Sequence, residues 1–227
     1  MPTNPHTPSR RSVLTGAGAA VAAGVAGAVA VPAATAATAG VAVGPGAVTV
    51  AEFRGRISQT GDTGQHFTAL GFLTKLRAAT HADLFAGSPP AVGTALFTLY
   101  ASGRLSNRVL DMSVHALDIT GALNVYQRNA PGADFADPAS FQKGHAVATF
   151  GLVLQDVLAV FAPANGIPTL TGDMRQTASA ALHAGLAGKQ FGALNQRLRL
   201  FATGLGQLTD PVTLNAELEI AGNWTAT

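Results

Sequence analysis

Apolar and polar side chains alternate with a period of two along most of this chain, the period of a strand that buries one face. From Val50 onward Phe53, Gly55 and Ile57 share one face, and Glu52, Arg54, Arg56 and Ser58 share the other. Gly61-Asp62-Thr63-Gly64 follows as a turn, because glycine supplies positive φ and Asp bonds its own backbone. The run 66–76 is apolar on both faces. Residues 80–92, with Asp83, Gly87, Pro89 and Pro90, read as a loop with one short helical turn at Asp83-Leu84-Phe85. The next strand sets Ala95, Phe97, Leu99 and Ala101 against Thr94, Thr98, Tyr100, Ser102 and Arg104. Segments 112–118 and 123–128 then flank Ile119-Thr120-Gly121-Ala122, which reads as a hairpin turn with Gly121 at the positive-φ position.

Residues 129–144 hold Pro131-Gly132 and Asp137-Pro138, too many breakers for regular structure, and a loop of that length is a place to look for function. The stretch 145–162 is the most hydrophobic after residue 40. Phe150, Leu152, Leu154, Leu158 and Val160 share a face with Asp156, opposite Val153, Val157 and Phe161, as one long bent strand or two in series. Residues 169–182 alternate again, although their alanine content makes a helix over 173–186 a rival. Leu198, Leu200 and Ala202 oppose Arg197, Arg199 and Thr203. Beyond the Thr209-Asp210-Pro211 turn, Leu214, Ala216, Leu218 and Ile220 oppose Thr213, Asn215, Glu217 and Glu219. Eight or nine strands in sequence predict an all-β domain over 49–227. A closed antiparallel barrel is preferred to a β-sandwich, because closure removes exposed edges.

The N-terminus carries a different pattern. Ser9-Arg10-Arg11-Ser12-Val13-Leu14 precedes a Gly/Ala-rich run, 15–31, and Ala37-Thr38-Ala39 closes it with small residues. This order resembles the signal peptide of the twin-arginine (Tat) route, which exports folded proteins. The resemblance implies recognition of Arg10 and Arg11 by the Tat translocase, cleavage after Ala37-Thr38-Ala39, with Ala37 and Ala39 as the recognised small residues, and a secreted product. Residues 1–39 are thus expected to be the signal and 40–48 a flexible entry segment. Spanning helices need about 20 strongly apolar residues, so a run built from Ala, Gly and Val is not expected to stay as a membrane anchor. Gly71-Phe72-Leu73-Thr74-Lys75-Leu76, Ala95-Leu96-Phe97-Thr98 and Arg197-Leu198-Arg199-Leu200 resemble core patterns of uncharacterised exported proteins from high-GC Gram-positive bacteria, which implies a shared fold and no activity. In architecture the expected barrel is similar to those of allene oxide cyclases and dirigent proteins, with no catalytic motif of theirs present.

Charge changes the picture little. The chain has 14 Lys+Arg and 12 Asp+Glu; removal of 1–39 takes away Arg10 and Arg11 and no acid, leaving 12 of each. A balanced surface offers no field to draw nucleic acid or anionic lipid, so neither is an expected partner. There is no cysteine, which excludes thiolate chemistry and Cys-ligated metals. The basic positions Arg54, Arg56, Arg104, Arg197 and Arg199 are interleaved with Glu52, Glu217 and Glu219, as in ordinary cross-strand pairing.

Candidate chemistry is sparse. His66, His81, His115, His145 and His183 show no ligand spacing, and no nucleophile elbow, phosphate loop or dinucleotide fingerprint occurs. No cofactor is expected. Asp156 stands out, because a carboxylate on an apolar strand face is desolvated and its pKa rises, as a general acid requires. The alternatives are a bulge near Gln155-Asp156 or an ion pair with an arginine. If Asp156 points into a barrel, Tyr126, His115 or Tyr100 are the candidates to complete an acid–base set; Asp111 and Asp118 read as solvated strand ends. Trp224 reads as packing or an end cap. Two functions follow: an exported binding or interaction module, for a small hydrophobic ligand, a protein or a second copy of itself in a homo-oligomer, or a cofactor-free isomerase or cyclase of a small hydrophobic substrate.

Overall fold

A computed structural model of the chain describes residues 48–226. The expected signal, with Arg10, Arg11, Ala37 and Ala39, lies outside the described residues. Eight strands follow one another: β1 (Val48–Thr60), β2 (His66–Leu76), β3 (Phe97–Asp111), β4 (Val114–Gln127), β5 (His145–Ala162), β6 (Asn165–Ser179), β7 (Arg197–Asp210) and β8 (Asn215–Ala226). Each pairs antiparallel with the next, and β8 pairs with β1, closing the expected barrel.

Inward positions follow the alternation. Phe53, Ile57, Leu73, Leu99, Leu123, Phe150, Leu152, Met174, Leu200 and Trp224 are buried in one continuous core. Trp224 is central to it: its ring lies 5.7 Å from Phe53, 6.0 Å from Phe150 and 6.1 Å from Phe191. Tilted and edge-on aromatic pairs of this kind add about 0.5–1.5 kcal/mol each to the area they bury.

Two sequence expectations are corrected, and one rival reading is removed. There is no turn at 119–122: β4 is continuous, and the β3–β4 turn sits at Met112-Ser113. Gly121 serves the wall instead. It pairs with Gly103, and a Cβ there would collide with the Ser102 carbonyl and lie 2.7 Å from Gly103 Cα. The rival helix over 173–186 is also absent, because β6 is held on both sides by β5 and β7 through Arg175; only a 3₁₀ turn at Ala184–Leu186 follows it. Loop 129–144 does contain regular structure, a 3₁₀ turn at Pro138–Gln142.

The two ends of the barrel differ. Four tight turns, β1–β2, β3–β4, β5–β6 and β7–β8, rim one end; the long connections 77–96, 128–144 and 180–196 belong to the other. Those connections carry apolar side chains that join the core: Leu84 from the short helix α1 (His81–Leu84), and Leu182, Leu186 and Phe191 from 180–196. They plug that end. Loop 129–144 folds onto the outside, where Phe141 and Ala133 cover Leu70, and Thr98 Oγ1 donates to the Phe141 carbonyl at 2.8 Å. Phe85 packs edge-on against Phe72 at 6.3 Å. These two covers explain why 66–76 is apolar on both faces. The exterior also carries the pairs Arg56–Glu219, Lys75–Glu52 and Arg199–Asp173 at 2.9–3.3 Å on exposed side chains.

Candidate functional site

The tight-turn end is open. A cavity of about 140 Å³ enters the barrel there, walled by Leu117, Leu158, Val160, Leu208, Ala216 and Leu218. Gly166 and Gly206, paired across β6 and β7, keep that part of the wall free of side chains. At Gly206 an added Cβ would sit in ordinary contact, 3.5 Å from Leu218.

Asp156 projects into this cavity. Its Cα partners are Leu117 on β4 and Leu170 on β6, both buried, and only 3% of its own surface is exposed. The register of β5 is unbroken at this point; its irregularities fall at Thr149/Phe150 and Val160/Ala162, so no bulge turns the carboxylate outward. Among the described residues no cation lies within ion-pair distance of it. The Thr169 backbone N–H donates to Asp156 Oδ1 at 3.0 Å. Burial pushes the carboxyl up to about 6, against the lowering effect of that hydrogen bond. The second oxygen has no protein hydrogen-bond partner among the described residues.

His115 joins Asp156. It lies on β4 between Leu110 and Leu158, half-buried, and lines the same cavity two positions from Leu117. Tyr126 does not. It shares β4 with His115 but stands eleven residues away, an odd number, so its side chain leaves by the opposite face. There it is half-buried outside the barrel, its hydroxyl pKa raised by burial and then by Tyr100, which packs on the Leu70–Phe141 cluster. Asp118 is on the outer face too, accepting from Asn107 and Gln155. His145 and His183 approach each other, ring centres 4.9 Å apart, beyond the cavity on strand β5 and in connection 180–196.

Arg108 and Gln59 complete the cavity and were not singled out from sequence. Plain alternation from Leu99, Ala101 and Gly103 sends an even-numbered residue outward. A bulge between Leu105 and Asn107 reverses that order, so Arg108 pairs with Leu117 and turns inward. Its guanidinium donates to the Gly64 carbonyl in the adjoining β1–β2 turn at 3.4 Å, and burial lowers its pKa. Gln59, also buried, approaches the same β1–β2 turn. Asn165 and Gln207 stand at the rim.

An apolar cleft with a few convergent polar groups is the usual form of a small-molecule site. Here the polar set comprises a carboxyl that titrates near neutrality, an imidazole, a guanidinium and amides. Among the described residues no three His, Asp or Glu side chains converge as metal ligands, and no helix is long and apolar enough to cross a membrane. No protein family, no curated protein and no solved structure matches the chain.

Proposed function

We propose that this chain is an exported, extracytoplasmic barrel that binds a small, largely apolar molecule through its open end. The single observation carrying this reading is the placement of Asp156: a buried carboxyl, unpaired on one oxygen, at the wall of a largely apolar cleft that opens to solvent. Apolar walls supply affinity, and the free carboxyl oxygen supplies one directional contact to a polar group on the ligand. The twin arginines Arg10 and Arg11 support export through the Tat translocase. A second reading has support in the shared cavity of Asp156 and His115: a buried carboxyl and an imidazole lining one apolar cleft are the side chains a cofactor-free isomerase or cyclase would use as acid and base.

Filling the cavity tests the binding reading. Gly206→Val adds its side chain toward the lumen at a position where the first carbon fits. An uncharged fluorescent probe, N-phenylnaphthylamine, should bind the wild-type chain and lose at least ten-fold in affinity on Gly206→Val, with the thermal midpoint kept or raised. Equal probe affinity in the two proteins would overturn the reading.

A further inference from the structure

The outer wall above the open end is unusual for a solvent-facing sheet. Val109, Val114, Val157, Phe161, Ile167 and Leu205 are 38–65% exposed. Register makes five of them one patch, and Phe161 stands two residues beyond Ala159 at the end of β5. Val109 and Val157 flank Ala116 on β4; Val114 and Ile167 flank Ala159 on β5; Leu205 precedes Gly206, the partner of Gly166, and so stands beside Ile167. From their exposures the six present on the order of 500 Å² of contiguous apolar surface, at the upper end of what a monomer shows. None is charged, and neither are the residues between them, Ala116, Ala159 and Thr169. One border is polar, where Asn107 and Gln155 donate to Asp118 at 3.1 and 3.2 Å.

We infer that this β3–β7 face is the interface on which a second copy of the chain packs. An isologous contact of the patch with itself removes about twice its area from water, and with the polar border included this reaches the ~1,200 Å² lower bound of stable interfaces. An apolar centre with a polar rim is also how such interfaces are built. A lipid surface fits less well. The turns beside the patch are bordered by Asp111 and Asp210 and carry no Lys or Arg, so dipping them into a headgroup layer buries carboxylates with no cation to draw the protein toward anionic lipid.

The test is the mass of the full chain by sedimentation equilibrium up to about 100 µM, a range that detects any dimer of micromolar affinity. It is run for wild type, Leu205→Glu and Phe161→Glu. Both substitutions lie on exposed positions of different strands, so one misfolded variant leaves the other to decide, and circular dichroism reports which are folded. The wild-type chain should be a dimer, with dissociation constants raised at least thirty-fold in either folded variant. All three share the same N-terminus, so association through residues outside the barrel would persist in both variants. A monomeric wild type, a dimer unaffected by both substitutions, or a monomer that co-sediments with phosphatidylcholine vesicles would each overturn the inference.

Discussion

Replacing Asp156 by Asn should stabilise the barrel above pH 7 and give no gain near pH 4. In the fold the Asp156 carboxyl titrates at about 6, whereas in the unfolded chain it titrates near the ordinary value of about 3.9. Between these values the folded chain binds more protons than the unfolded one, so stability falls as pH rises through the window and stays low above it. The gap corresponds to about 3 kcal/mol by linkage. Asn keeps an oxygen for the Thr169 N–H and removes the charge. Its amide brings new donors into an apolar wall, a cost of about 1 kcal/mol. The net gain at pH 8 is therefore about 2 kcal/mol, or a thermal midpoint higher by roughly 4–8 °C for a domain of this size. Urea unfolding followed by the single tryptophan, Trp224, at pH 4 and pH 8 measures it. A difference between the two proteins that does not change with pH, or a loss of stability on Asp156→Asn at pH 8, would refute the reasoning.

Other perturbations separate the cavity from its surroundings. Gly121→Val forces a side chain against the Ser102 carbonyl and Gly103 backbone and should cost about 3 kcal/mol in urea unfolding; Gly151→Ala, with no atom within 4 Å of the new carbon, should change stability by less than about 0.5 kcal/mol. Tyr126→Phe should leave N-phenylnaphthylamine affinity within two-fold of wild type in a fluorescence titration, because the phenol is outside the barrel. The same probe should bind more tightly at pH 5 than at pH 8, since an uncharged apolar guest displaces water from Asp156 and favours its neutral form. In Asp156→Asn that pH dependence should flatten.

The strands were legible because burial on one side of a sheet imprints a two-residue period, and Phe53/Ile57, Leu198/Leu200 and Leu218/Ile220 show it cleanly. Barrel closure was legible only as an argument about edges. The local errors share a cause, which is that barrels bend their strands with glycines and bulges. A curvature glycine and a turn glycine look alike in one dimension, so Gly121 reads as a turn residue in the sequence. With a turn at 119–122, His115 and Tyr126 fall on separate strands and either can reach Asp156; on one continuous strand their odd separation puts them on opposite sides of the wall. Arg108 was missed for the complementary reason: the bulge at Leu105/Asn107 reverses the face, and nothing in Ser106-Asn107 announces it. Asp156 was found because a charged residue in an apolar register needs no knowledge of its neighbours. The plug at the far end was invisible, since Leu182, Leu186 and Phe191 sit among glycines and short turns with no period of their own.

The protonation of Asp156 tests the account most directly. A ¹³C-detected titration of the Asp156 carboxyl, with and without N-phenylnaphthylamine, should show a midpoint near 6 for the free protein, moving higher when the probe occupies the cavity. A midpoint near 4 that the probe leaves in place would mean that the carboxylate stands in water, and that the open end of the barrel is not the site.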